Sequence, residues 1–78
     1  MQVNFSRHAL QRMDERGVTP TEVRQAIETP SKKVAKGDKR AAIALRHNRH
    51  LLIVIYTSSD TIINVITVIV TSKVHKYL

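Results

Sequence analysis

The 78-residue chain carries 13 lysines and arginines against 6 aspartates and glutamates, a formal net charge of +7, and no cysteine. Its length allows one domain with a small core, because a domain of this size buries only about 60% of its extended-chain surface. The lack of cysteine excludes a disulfide framework and a thiolate metal site. No apolar run approaches the roughly 20 residues that span a bilayer, and no apolar signal core follows the first residue. We therefore expect a soluble, cytoplasmic protein without a membrane partner.

The positive charge is concentrated in the second half of the chain. Residues 1–30 balance their arginines with acidic residues, whereas Asp38 is the one acid among the basic residues of segment 32–50. Such a localised excess favours a polyanionic partner, with nucleic acid the first choice and an acidic protein the second. A solvated face that promotes solubility is the alternative. The predicted nucleic-acid-binding residues are Lys32, Lys33, Lys36, Lys39, Arg40, Arg46, Arg49 and Lys73.

Capping signals predict two N-terminal helices. Ser6 is a candidate N-cap and Gly17 a candidate left-handed terminator, which bounds the first helix at roughly residues 7–16. The stretch Thr19-Pro20-Thr21-Glu22 supplies an N-cap, a proline at the first helical position and the glutamate of a capping box. The second helix is therefore expected to begin there and to end at Pro30.

The rest of the chain has the pattern of an antiparallel sheet. A short extended piece at 32–36 and a turn at Gly37-Asp38 predict a hairpin with 40–47, where apolar residues alternate. The aliphatic runs 51–56 and 62–71 are expected to form the central strands, with a turn between them. The prediction is a single α+β domain with two N-terminal helices packed on one face of a roughly four-stranded antiparallel sheet.

Two polar residues interrupt the last aliphatic run. Asn64 and Thr67 are expected on opposite faces of that strand, because side chains alternate along a regular strand. One of them would then lie under the helices or on the open face, where it could hydrogen-bond a ligand. A satisfied polar group or an edge position is the alternative.

The first helix carries the row His8, Arg12 and Arg16, spaced four residues apart. On a helical wheel of about 100° per residue this row drifts toward the apolar side, which is an unusual place for arginines. One interpretation is that the arginine stems pack while their heads reach water and that His8 is a surface residue. The other is an anion site, because guanidinium groups present planar forks suited to phosphate and imidazole can carry a proton.

The segment FSRHALQRMDERGVTPTEVRQAIETP resembles the N-terminal signature of the DUF4258 domain family, in which a helix with a His-x-x-x-Arg-x-x-x-Arg row precedes a second helix closing at a proline. The later segment LLIVIYTSSDTIINVITVIV resembles the paired strands of that family. The family is similar to the compact fold of RelE-like and colicin-like ribonuclease toxins. The resemblance implies metal-independent cleavage of RNA rather than DNA, with no cofactor. It also implies an acid or base role for His8 and phosphate-binding roles for Arg12 and Arg16.

Cleavage of RNA through the ribose 2′-hydroxyl needs one group that accepts a proton and one that donates a proton. We count His75 among the catalytic candidates beside the His8 row. For His75 and for each of the other candidates for the second proton carrier, a solvated position at the chain end or in a turn is the alternative. His47 and His50 have a spacing that suits a metal, but no cysteine or nearby carboxylate completes a set, so no metal site is predicted. The other candidates for the second proton carrier are Tyr77, Lys73, His47 and His50.

The sequence supports one leading hypothesis and two alternatives. The leading hypothesis is a small basic nucleic-acid-binding protein, in its most concrete form a toxin-like endoribonuclease. The alternatives are an RNA- or DNA-binding module without catalysis, and an interaction or inhibitor protein that binds an acidic partner. The toxin resemblance implies an acidic antitoxin that covers the basic hairpin. Because two short helices leave aliphatic sheet surface uncovered, we also expect a homodimer.

Overall fold

The computed structural model describes residues 2–78, in which one five-stranded sheet is accompanied by three helices. The predicted α+β class is confirmed, with one strand and one short helix more than expected. The strands are β1 (Gln2–Phe5), β2 (Lys32–Lys36), β3 (Lys39–Leu45), β4 (Leu51–Ser59) and β5 (Ile62–Thr71). The helices are α1 (Arg7–Arg16), α2 (Pro20–Glu28) and α3 (Val74–Tyr77), and a 3-10 turn spans His47–Arg49.

The two N-terminal helices begin and end where their capping residues predict. The Ser6 side chain accepts a hydrogen bond from the Ala9 amide at 2.9 Å, and Gly17 closes α1 in the left-handed conformation with φ of 65°. The Thr19 hydroxyl accepts a hydrogen bond from the Glu22 amide at 3.1 Å. These contacts satisfy amide groups that have no partner within the helix. The helix bounds are therefore determined by contacts between residues close in sequence.

The sheet has the order β1-β5-β4-β3-β2, and every neighbouring pair except β1 and β5 is antiparallel. Strand β1 was not predicted. It forms a parallel edge strand, with Val3 opposite Ile63 and Phe5 opposite Val65. The chain therefore enters the sheet at one edge, crosses over it through α1 and α2, and completes the other four strands afterwards.

The two faces of the sheet are covered unequally. Both long helices pack on one face, where Ala9, Met13 and Val23 meet the central strands in a continuous core. The predicted helix-covered face is thus confirmed. The opposite face carries a smaller cluster of Ile43, Leu51 and Ile53, against which Val74 and Tyr77 of α3 pack. The strand residues of the main core are Val3, Ala42, Leu52, Val54, Tyr56, Ile63, Val65 and Val68.

A β-bulge changes the expected orientation of one polar residue. The register of β4 with β5 shifts between Ile55 and Tyr56, so that Ile55 lies opposite Thr67 while Thr57 lies opposite Asn64. Residues 55 and 57 share a face of β4, so Asn64 and Thr67 share a face as well. The prediction of opposite faces was wrong, because it assumed a strand without an inserted residue.

One ion pair ties the sheet to the helices. Arg46 donates from Nε to Glu22 at 2.5 Å, from Nη2 to the same carboxylate at 3.1 Å, and from Nη2 to the Gly17 carbonyl at 3.3 Å. The side chains are 10% and 27% exposed for Arg46 and Glu22. A forked, partly buried contact of this kind holds the end of β3 against the α1–α2 connection.

We expect Arg46→Ala to lower the free energy of unfolding by about 2 to 4 kcal/mol, because removal of one partner leaves a partly buried carboxylate unpaired. Urea denaturation followed by circular dichroism measures the change. The control is Arg40→Ala in β3, the strand just before Arg46 in the chain, where the side chain is exposed, and its effect should stay within about 0.5 kcal/mol. Equal losses for both variants would contradict the assigned role of the ion pair.

Candidate nucleic-acid interface

The position of α1 follows from where β1 stops. Strand β1 pairs with β5 only as far as Phe5 and Val65, and β5 continues to Thr71. At Ser6 the backbone amide donates to the Val65 carbonyl at 3.0 Å, and the hydroxyl donates to the Ile66 carbonyl at 2.7 Å. Because the same hydroxyl caps α1, one residue fixes the start of the helix to the strand. Helix α1 therefore runs beside the half of β5 that has no neighbouring strand on that side among the described residues.

A cleft of about 360 Å³ lies between α1 and this half of β5. One wall is formed by His8, Arg12 and Arg16, and the other by Thr67–Val70. The volume is at the lower end of the roughly 300–1,000 Å³ range of ligand pockets. The structure thus brings the predicted His-Arg-Arg row together along one cleft, rather than dispersing it over the helix surface.

The cleft is positively charged and open to solvent. His8, Arg12 and Arg16 are all exposed, and none of the described residues that line the cleft is acidic. Arg12 contacts Glu15 at 3.4 Å, but both side chains are about half exposed, at 48% and 47%. A surface pair of this kind contributes about 0 to 1 kcal/mol and is easily exchanged for a stronger anion. The arrangement favours a phosphate or another anion.

The strand wall adds backbone groups to the cleft. A strand without a neighbour on one side directs the N–H and C=O groups of alternate residues outward. Residues Thr67–Val70 line the cleft, so by this alternation some of their backbone groups are directed toward α1. An anion held by the guanidinium groups would thus find additional hydrogen-bond donors opposite α1.

The other predicted catalytic residue lies elsewhere. His75 belongs to α3, whose Val74 and Tyr77 pack on the face opposite the helices. Neither His75 nor any of the remaining candidates for the second proton carrier is among the residues that line the cleft. His47 begins the 3-10 turn between β3 and β4, and His50 follows it. No second proton-carrying side chain beside His8 lines the cleft in the described part of the chain.

The predicted basic surface is divided by the structure. The lysines of the β2–β3 hairpin lie at the edge of the sheet opposite β1 and β5. Arg46 is engaged by Glu22 and lies beside a second cleft, which that acidic residue also lines. Arg49 is exposed in the turn with φ of 59°, and Lys73 precedes α3. The basic residues therefore form separate zones rather than one continuous stripe.

Two features that build the cleft were not predicted, its strand wall and the attachment of α1 to β5. Val68–Val70 were predicted only as part of an aliphatic run and Thr67 only as a polar residue of that strand that could hydrogen-bond a ligand. Ser6 was predicted only as a helix cap, although it also binds the Ile66 carbonyl. The sequence holds one signal for Ser6, the position of a hydroxyl between a short extended start and a helix. It holds no comparable signal that residues 67–70 face α1, because their position beside the cleft depends on β1 ending at Phe5.

Among residues 2–78, no group of three or more His, Cys, Asp or Glu side chains has the geometry to hold a metal ion. Within the same residues, none of the helices has the length and apolar character needed to cross a membrane.

A family model described as "Domain of unknown function (DUF4258)" matches residues 5–75, which span both helices, the cleft and nearly all of the sheet. The chain belongs to the DUF4258 family. No curated protein and no solved structure matched it in the corresponding searches. The similarity of this DUF4258 domain to ribonuclease toxins accordingly stays a prediction.

We expect Ser6→Ala to lower the free energy of unfolding of this DUF4258 domain by about 1 to 2 kcal/mol, since it removes the N-cap and the bond to the Ile66 carbonyl together. Ser6→Thr keeps a hydroxyl in the same place and should lose less than half as much. Urea denaturation of both variants provides the comparison. Equal losses for the alanine and threonine variants would show that the hydroxyl does not fix α1 to β5.

Proposed function

We propose that this domain binds RNA, with backbone phosphates in the cleft between α1 and β5. The observation that carries the proposal is the alignment of His8, Arg12 and Arg16 along one wall of a cleft whose described lining contains no carboxylate. Phosphate is the anion whose geometry best matches paired guanidinium forks. The net charge of +7 supports the approach of a polyanion from a distance.

The catalytic form of this proposal is a metal-independent endoribonuclease. His8 accepts the proton of the ribose 2′-hydroxyl as the 2′-oxygen attacks the adjacent phosphorus. The bond from phosphorus to the 5′-oxygen then breaks, and the departing oxygen takes a proton from water or from the imidazolium. Arg12 and Arg16 stabilise the additional negative charge of the phosphorane. The products are a 2′,3′-cyclic phosphate and a 5′-hydroxyl end.

The second form is an RNA-binding module without catalysis. One observation favours it: His8 is the single proton-carrying side chain among the described residues that line the cleft. Cleavage by this route proceeds best when one group removes a proton and another supplies one. A cleft with one histidine and two permanent cations is sufficient for phosphate binding and less complete for catalysis.

Binding to the cleft is tested with a fluorescein-labelled single-stranded RNA, measured by anisotropy over a range of salt concentrations. Each of Arg12→Gln and Arg16→Gln should weaken binding and reduce the slope of log affinity against log salt by about 0.7, the value for one phosphate of a single strand. Arg7→Gln is the matched control, because it removes the same charge from an exposed position of the same helix that does not line the cleft. An equal reduction of affinity and slope for Arg7→Gln would show that the cleft is not the RNA-binding site.

Catalysis is tested by incubating wild type, His8→Ala and Arg7→Gln with mixed cellular RNA in the presence of a chelator. Cleavage that leaves 2′,3′-cyclic phosphate ends, retained by Arg7→Gln and lost in His8→Ala, is the result expected of the ribonuclease. If the protein retains RNA but neither wild type nor either variant yields a cleavage product, the domain is an RNA-binding module without catalysis. Equal cleavage by wild type and His8→Ala would exclude His8 from the mechanism.

A further inference from the structure

The sheet face opposite the two long helices is only half covered. At one end, Val74 and Tyr77 of α3 pack against it. At the other end, a row of apolar side chains crosses three strands in register, with Val34 opposite Ala41 and Ala41 opposite Ile55. Val34 is 42% exposed, although it lies in the middle of β2. This row forms an apolar floor that no described element covers.

A collar of basic residues surrounds this floor. A cleft of about 300 Å³ is lined by the floor residues together with Lys36, Lys39 and Arg40. Strand alternation also places Lys32 on the same face as Val34. We call this feature the hairpin groove: the floor of Val34, Ala41 and Ile55 with the collar of Lys32, Lys36, Lys39 and Arg40.

Strand β2 borders the hairpin groove and is an open edge of the sheet. All its residues are exposed, and its only described neighbour is β3. The hairpin closes through Gly37, whose φ of 63° suits a two-residue turn, with Lys36 opposite Lys39. In such a hairpin the closing pair bonds inward, so alternation directs the backbone N–H and C=O groups of Lys33 and Ala35 outward. These groups are available to another strand.

We propose that β2 accepts an extended segment of an acidic partner protein as an additional strand of the sheet. The backbone of the segment would bond to Lys33 and Ala35, and an apolar side chain opposite Val34 would cover the floor of the hairpin groove, with acidic residues two positions before and after it on the same face. Its carboxylates would then meet Lys32, Lys36 and Lys39 at the collar. Affinity comes from the backbone and the apolar floor, and selectivity for an acidic segment comes from the lysines.

Charge distinguishes this occupant from a second copy of the chain. Two β2 strands placed side by side would bring lysines against lysines, and each chain has a net charge of +7. Nucleic acid would satisfy the lysines but leave the apolar floor exposed. The groove and the cleft at α1 share no lining residue, and the edge strand β2, where the segment would bind, lies three strand spacings from β5, roughly 14 Å. The proposal therefore does not depend on RNA binding there.

The test selects peptides from a random library displayed on phage, using the full chain as bait. The selected peptides should be acidic, with acidic residues two positions before and after an apolar residue. Fluorescence anisotropy with the most enriched peptide, synthesised and labelled, then measures its affinity for variants. Ala35→Pro removes an outward N–H and keeps the inward ladder bonds, so it should weaken binding at least tenfold. Lys36→Glu should do the same, whereas Lys73→Glu, with the same charge change at the far end of β5, should not.

Thermal denaturation checks that each variant folds, and Val34→Asp replaces Ala35→Pro if the proline variant does not. The proposal is overturned if the selection enriches no peptide or only basic ones. Unchanged affinity in the β2 variants would also overturn it. Sedimentation that shows a dimer abolished by Lys36→Glu would assign the groove to a second copy. If RNA displaces the peptide from wild type and from Arg12→Gln equally well, the hairpin groove binds nucleic acid.

Discussion

The structure depends on the short parallel pairing of β1 with β5 and on the residue that ends it. Ser6 bonds to β5 through its backbone amide and its hydroxyl, and the same hydroxyl caps α1. Since β1 stops there, the rest of β5 keeps an open side, and α1 must run along it. The cleft, with its basic wall and its strand wall, is a direct result of this geometry.

The two ends of the sheet present different chemical surfaces. At the β5 side, permanent cations line a cleft whose described residues include no acid, which suits an anion such as phosphate. At the β2 side, lysines surround an apolar floor, which suits a protein segment. Arg46 belongs to neither end, because Glu22 and the Gly17 carbonyl hold its guanidinium group. Net charge alone would have merged these three environments into one basic surface.

Features encoded by neighbouring residues were predictable from the sequence. Ser6, Gly17 and Thr19 set the helix bounds through contacts within a single turn, and the His-Arg-Arg row follows from helical spacing. Strand β1 was missed because its pairing joins residues about sixty positions apart, as the contact of Ser6 with Ile66 illustrates. The bulge near Tyr56 was missed for a similar reason. It is a property of two paired strands, and neither strand alone carries a signal for it.

The most direct test of the cleft is a titration of the uniformly ¹⁵N-labelled protein with a short single-stranded RNA, followed by two-dimensional NMR. Amide shifts should change first and most at His8, Arg12 and Arg16 and across the cleft at Thr67–Val70. The signals of the β2–β3 hairpin should change little. Shifts confined to Lys32–Lys39, with the α1 row unaffected, would contradict the assignment of the cleft as the phosphate-binding site.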